Sequence, residues 1–157
     1  MVHKIIKPFV EAMVSTMDMM VGLEVTPEEG YVKNPREALP GNICGIIGFA
    51  GRKVMGSVAL FFTEKHILQV FEMMTGEEAD GLNQDVADTV AELANIVAGN
   101  GKTSYASKGL HFDLAIPSVI LGDQITISYG PGAKVVAVPI VLEGKKFYME
   151  VMLKKVS

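Results

Sequence analysis

Four of the apolar segments in this chain are joined in pairs by turn residues, and that restricts the sheet they can build. Ile43 to Ala50 and Val54 to Phe62 are β-rich runs meeting at Gly51-Arg52-Lys53, which predicts an antiparallel hairpin. Lys134 to Leu142 and Lys146 to Lys154 repeat the arrangement around Glu143-Gly144. Further strand candidates lie near Phe112 to Ile116 and Gln124 to Tyr129, with Pro131-Gly132 as another turn. Parallel strands need long crossover connections, usually helical. The strands from Phe112 onward are joined by turns and not by helices, so a largely antiparallel sheet is expected.

Two long helical patterns must then cover a face of that sheet. Ile6, Phe9, Val10, Met13, Met17 and Met20 recur at three- and four-residue intervals, the mark of a helix with one apolar face over residues 2 to about 20. A second long helix should start at Asn83 as N-cap, carry Asp85 and Asp88 early, and stop at Lys108-Gly109. Its core stripe is Val86, Val90, Leu93 and Val97. A shorter helix is expected from an N-cap at Thr63 to Thr75, with Gly76 just past its end. Between Glu24 and Asn42, Pro27, Gly30, Pro35, Pro40 and Gly41 predict an irregular connection. The fold class is therefore α+β: a largely antiparallel sheet covered by two long helices. With 157 residues, a single domain over 1–157 is expected. A faint repetition of helix and strands in the two halves points to pseudo-symmetry.

Composition excludes several classes of function. Net charge is −4 and the Lys and Arg residues are scattered, so no nucleic-acid partner is expected. His3, His66 and His111 lie far apart and the lone Cys44 sits among Ile43, Gly45 and Ile46. No metal site, disulfide or reactive thiol follows, and each histidine reads as an ordinary surface or satisfied one. Gly99, Gly101 and Lys102 lack the spacing of a phosphate loop. No apolar run approaches the roughly 20 residues of a membrane span, and Lys7, Glu11 and Asp18 interrupt the N-terminal segment. A cytoplasmic protein with no membrane association is expected.

What remains for chemistry is one polar stripe. Asp88, Glu92 and Asn95 are spaced by four and three residues on the second long helix, so they share a face. At about 100° per residue that face lies opposite Val86, Val90, Leu93 and Val97. Ala91, Ala94, Ala98 and Gly99 are small neighbours expected to keep the surface low for an approaching protein. Spacing alone does not distinguish such a stripe from an ordinary solvated helix face.

The stretch Asp88-x-x-x-Glu92-x-x-Asn95, with Pro117 further on, resembles the signature helix of the CheC/CheX family of chemotaxis phosphatases. Ala91-Glu92-Leu93-Ala94-Asn95-Ile96-Val97-Ala98-Gly99 is similar to the family's core, and Asp113 to Gly122 to its following extended segment. The likeness extends over nearly the whole chain in element order and is specific between about Asp88 and Gly122. It implies a phosphatase that hydrolyses the aspartyl phosphate of a CheY-like response regulator, with Glu92 and Asn95 catalytic and Asp88, Glu92 and Gly99 contacting the partner. It also implies no cofactor of the chain's own, since any metal belongs to the regulator, and a homodimer. On the first helix, if Lys7-x-x-x-Glu11-x-x-Val14 is the counterpart of this stretch, an apolar residue stands in place of the amide and one active site per chain is implied; the alternative is that Glu11 is simply a solvated residue and the match is chance. The competing reading is a non-catalytic module that docks a regulator or flagellar-switch component. A third is a purely structural or oligomerisation domain.

Overall fold

The N-terminal amphipathic pattern forms α1 (Val2–Thr16), which continues into one π-helical stretch, Met17–Val21, closed by Gly22 at φ 79°. The structure is a computed structural model that describes residues 2–34 and 36–156, the side chains of Val2 and His3 excepted. The expectations for His3 and Pro35 therefore fall outside the described residues. Ile6, Phe9, Met13 and Met17 are buried as their spacing requires, and Val10 is partly buried against them. Met20 is not: the wider π-helical turn advances the register, so Val21 enters the core and Met20 is left 51% exposed.

The segment from Glu24 to Asn42 departs from expectation, because it contains three two-residue strands: β1 (Thr26–Pro27), β2 (Tyr31–Val32) and β3 (Leu39–Pro40). Each is too short to show alternation: β1 and β2 exist because the long strand Lys134–Leu142 offers them a ladder, and β3 pairs with a strand as short as itself, Gln124–Ile125. The first predicted hairpin is β4 (Ile43–Ala50) with β5 (Val54–Phe62). It leads into α2 (Glu64–Thr75), where the Thr63 hydroxyl accepts from the His66 amide at 3.1 Å and Gly76 closes the end at φ 75°. The second long helix, α3 (Gln84–Ala106), begins where predicted, with the Asn83 side chain accepting from the Val86 amide at 3.0 Å. It ends two residues earlier than Lys108, in a turn that closes at Gly109 with φ 83°.

After α3 the expected strands shorten to β6 (Asp113–Leu114), β7 (Ser118–Leu121) and β8 (Gln124–Ile125). The last two long strands, β9 (Lys134–Leu142) and β10 (Lys145–Lys155), form the second hairpin. Glu143 and Gly144 both take positive φ, 51° and 79°, as a tight two-residue hairpin turn demands. Every ladder among the described residues is antiparallel. The main sheet runs β1-β9-β10-β5-β4-β6, with β2 also on β9 and β7 also on β4. The halves interlock: β1 and β2, after α1, pair with the second hairpin, and β6 and β7, after α3, pair with the first. The two hairpins meet at β5 and β10, and β3 of one half pairs with β8 of the other. This is the pseudo-symmetric arrangement expected from the sequence echo.

Alternation assigns each strand residue to a side of the sheet. Val58, Leu60 and Phe62 face the helices, while Ala59 and Phe61 join Leu39, Cys44, Ile125 and Ala137 in a smaller cluster on the other side. There β3 and β8 form the cover. Glu150 is buried nearby, 3.0 Å from the Lys33 ammonium and accepting from the Tyr129 hydroxyl at 2.7 Å. Cys44 is a core residue, its thiol pushed up to about 12 by burial and then by the Glu150 carboxylate. Its expected inertness follows from that environment.

Two glycines on α3 sit in opposite surroundings. A Cβ on Gly101 would lie 2.4 Å from Cδ1 of Phe9, a ring held by Phe49, Tyr105 and Phe112. A Cβ on Gly99 would meet nothing within 4 Å. Overpacking costs about 1–3 kcal/mol, against a helix-propensity gain of about 1 kcal/mol. Gly101→Ala is therefore expected to lower the urea midpoint and Gly99→Ala to raise it, both with an unchanged m-value.

The buried His66 supplies a pH dependence. Its ring stands edge-on to Phe147 with Nε2 3.3 Å from the Leu142 carbonyl, and Nδ1 has no hydrogen-bond partner among the described residues. Burial lowers its pKa, opposed in part by the Leu142 carbonyl. As pH falls below about 6.5, the unfolded chain takes up the proton before the folded one does, so stability drops with falling pH. His66→Gln should flatten this slope: the stability difference between variant and wild type, followed by urea unfolding from neutral to mildly acidic pH, should shift in the variant's favour as acid is added. Parallel curves would contradict the assignment.

Candidate functional site

The site helix is seated by a close approach to the sheet. A Cβ on Gly45 of β4 would stand 2.7 Å from Cγ1 and 3.1 Å from the carbonyl oxygen of Val90. Only glycine lets α3 lie this near. Val86, Val90, Leu93, Ala94, Val97 and Ala98 are all fully buried beneath the helix. Each buried Val or Leu is worth roughly 1.5–3 kcal/mol, so rotation of α3 about its axis is strongly opposed.

With that face fixed inward, Asp88, Glu92 and Asn95 are exposed together on the other side. Asp88 accepts a hydrogen bond from the Gln84 side-chain amide at 2.8 Å. Glu92 and Asn95 have no hydrogen-bond or ion-pair partner among the described residues. Gly99 lies one turn further along the same line, half-buried, its carbonyl accepting from Thr103 at 3.2 Å. The small-residue expectation needs correction: Ala94 and Ala98 face the sheet, leaving Ala91 and Gly99 as the small residues that border the stripe. Pro117 stands just before β7, which pairs with β4 beside α3.

Asp88, Glu92, Asn95 and Gly99 line none of the best-formed cavities among the described residues, the largest of which encloses about 510 Å³. An exposed carboxylate and an exposed amide cannot by themselves enclose a small substrate or exclude water from it. They can complete a site on another macromolecule. An amide presents an acceptor and two donors, and a carboxylate one turn earlier presents only acceptors, so the pair can hold one water and one cation at once. No group of three or more metal-ligating side chains is assembled among the described residues.

The corresponding stretch of α1 is built differently. Glu11 pairs with Lys7 at 3.6 Å, both exposed, and Val14 is partly buried against the core. Sequence reasoning overlooked Lys102 and Ala106, which fall on the same face of α3 at helical intervals after Asn95. Periodicity alone would have found them. Their neighbours Arg52 and Lys53 come from a hairpin turn distant in sequence, which no local pattern reveals.

Comparison with known proteins places these features. A family model described as chemotaxis phosphatase CheX matches residues 43–151. The CheY-P phosphatase CheX of Thermotoga maritima is 26% identical over 130 residues, spanning 81% of this chain and 82% of that protein. The crystal structure of a chemotaxis protein CheX from Desulfovibrio desulfuricans superposes with a TM-score of 0.87 at 32% identity, covering 96% of this chain and 99% of the other. CheX of Borrelia burgdorferi, solved as a CheX–CheY–BeF3–Mg complex, gives a TM-score of 0.79 at 30% identity, with 97% of each chain covered. The family match spans more than half the chain, including the whole of α3, the first hairpin and most of the second, and on that ground this protein belongs to the CheX family of chemotaxis phosphatases.

Proposed function

We propose that this chain dephosphorylates a CheY-like response regulator by laying the exposed face of α3 over the regulator's phosphorylated aspartate. The observation that carries the reading is the pairing of Glu92 and Asn95: both are exposed and without partners among the described residues, on a helix whose opposite face is locked into the core. Family membership supplies the substrate class, and the Borrelia relative's complex with CheY supports the kind of partner.

The reaction asks little of the chain's own groups. A water oxygen attacks phosphorus in line with the bond to the aspartyl oxygen, that bond breaks, and the aspartate leaves as carboxylate while the water's oxygen departs in inorganic phosphate. Asn95 holds the attacking water, its carbonyl oxygen accepting a water proton and its NH2 free to donate to a phosphoryl oxygen. Glu92 pairs with a cation at the regulator's active site and so fixes Asn95 in place. Asp88 is a secondary contact, and Gly99 keeps the helix surface low where the regulator rests. Any metal belongs to the regulator.

Among the described residues no helix is long and apolar enough to cross a membrane, and the same reading places the protein in the cytoplasm with its regulator. The homodimer that the family resemblance implies belongs to this proposal too, with the Glu92 and Asn95 faces left open.

Saturation kinetics of phosphate release separate the roles. Asn95→Ala is expected to bind regulator normally while lowering the saturated rate on the order of 100-fold. Glu92→Gln should weaken binding roughly tenfold and reduce the salt sensitivity of what remains. Glu11→Gln should change nothing. Gly99→Ala, stabilising in the isolated chain, should raise the regulator concentration needed for half-maximal rate. Wild-type turnover by Asn95→Ala would sink the mechanism.

A further inference from the structure

The largest of the best-formed cavities among the described residues takes in Lys102 and Ala106, in line with the polar stripe, and matches nothing assigned so far. It encloses about 510 Å³ between the end of α3, the β4–β5 turn and the segment 109–113. Its lining includes the apolar Ala106, Leu110 and Phe112 and three cationic side chains, Arg52, Lys53 and Lys102, against the single carboxylate of Asp113. Lys102 stands 3.9 Å from Asp113, whose side chain is fully exposed. So exposed a pair is screened and weak, and it leaves the lysine available to another anion.

The walls are built and not incidental. The Gly51 amide donates to the Val54 carbonyl at 2.8 Å, and the Val156 amide donates to the Lys53 carbonyl at 3.1 Å. A Cβ on Gly51 would fall 2.3 Å from the His111 carbonyl oxygen, so the hairpin turn is packed directly on the opposite wall. Phe112 is held in turn by Phe9, Phe49 and Tyr105.

Position supplies the second argument. Lys102 follows Asn95 by seven residues, which returns it to the same face of α3 about 10 Å further along the axis. Gly99 stands between them without a side chain. A body resting on Asn95 and large enough to be a protein domain therefore extends over this cavity. Charge supplies the third. The chain carries −4 overall, and Asp85, Asp88 and Glu92 concentrate negative charge on the first half of α3. Among the described residues of this face, the cationic rim reverses that sign and so suits a different, acidic part of the partner.

We propose that this cavity is a second docking point for the regulator and receives from it an acidic segment, its carboxylates on the rim of Arg52, Lys53 and Lys102 and an apolar side chain on the floor. The inference rests on the phosphatase reading for the identity of the partner, and extends it by naming where and by what chemistry the partner is anchored. Such a rim acts on association more than on chemistry, because opposite charges steer the encounter.

The test uses the full chain with a CheY-like regulator, measuring both phosphate release and binding of the regulator loaded with beryllofluoride. Arg52→Glu/Lys53→Glu is compared with Lys134→Glu/Lys145→Glu, which changes net charge equally at exposed sites of the second hairpin. The cavity variant is expected to raise KM and Kd at least tenfold, leave the saturated rate within about twofold, and abolish most of the decline of kcat/KM with added salt. The control pair should do none of these. Equal KM and equal salt dependence in the cavity variant, alongside normal wild-type hydrolysis, would overturn the docking point and spare the phosphatase reading. Binding that depends on Arg52 and Lys53 without any wild-type hydrolysis would do the reverse. Direct binding of inorganic phosphate or adenosine monophosphate that is lost in the cavity variant, with regulator affinity unchanged, would show a small-anion site and also overturn the proposal.

Discussion

The contact between Gly45 and Val90 governs the rest of the molecule, because it decides how close α3 lies to the sheet and therefore which of its faces is left over. Replacing that glycine's hydrogen with a methyl group would set a carbon 2.7 Å from the valine side chain and 3.1 Å from the helix backbone. The backbone has nowhere to move, since Leu93, Val97 and Ala98 are already at zero exposure beneath it. Held this tightly, the helix offers a partner side chains whose backbone positions are fixed before any encounter. A surface that contributes one water-holding amide needs such preorganisation, because loose placement would forfeit most of the effect.

Interlocking of the two halves provides the platform. Each long helix is followed by short strands of which two, β1 and β2 or β6 and β7, cross to the other half's hairpin, so neither half can bury its apolar face without the other. The two helices nonetheless have different roles. On α3 the outward stripe carries an amide, and on α1 the matching position carries Val14, which turns partly into the core. Pseudo-symmetry of the backbone is thus compatible with a single functional face, since the ladder pairing depends on main-chain groups and the chemistry on a few side chains.

Much of this was legible in the sequence where a pattern ran for more than two turns or four strand residues. Val86, Val90, Leu93 and Val97, the caps Thr63 and Asn83, and the turn Glu143-Gly144 all carry local signals strong enough to be read directly. The short strands β1, β2 and β3 were not legible, because two residues such as Tyr31 and Val32 cannot display a period and owe their conformation to β9. Met20 was misassigned because the π-helical stretch shifts the register without leaving a trace in composition. The spacing of Asp88, Glu92 and Asn95 placed them on one face, yet only family resemblance gave that face a chemistry. Ala94 and Ala98 show the limit of local reading: they border the stripe in sequence and face the sheet in space.

The central claim is that the Asn95 side chain meets the regulator's phosphoryl group. Nuclear magnetic resonance of the side-chain amides, recorded while regulator loaded with beryllofluoride is titrated in, reads that contact at the atom concerned. The account predicts that the Asn95 NH2 resonances shift strongly and that the side-chain amides of Asn34 and Asn42, whose oxygens accept from the Arg36 and Glu64 amides, stay where they are. The unloaded regulator should shift Asn95 less. Saturating binding that leaves the Asn95 resonances unmoved would contradict the account, whatever the activity of the protein.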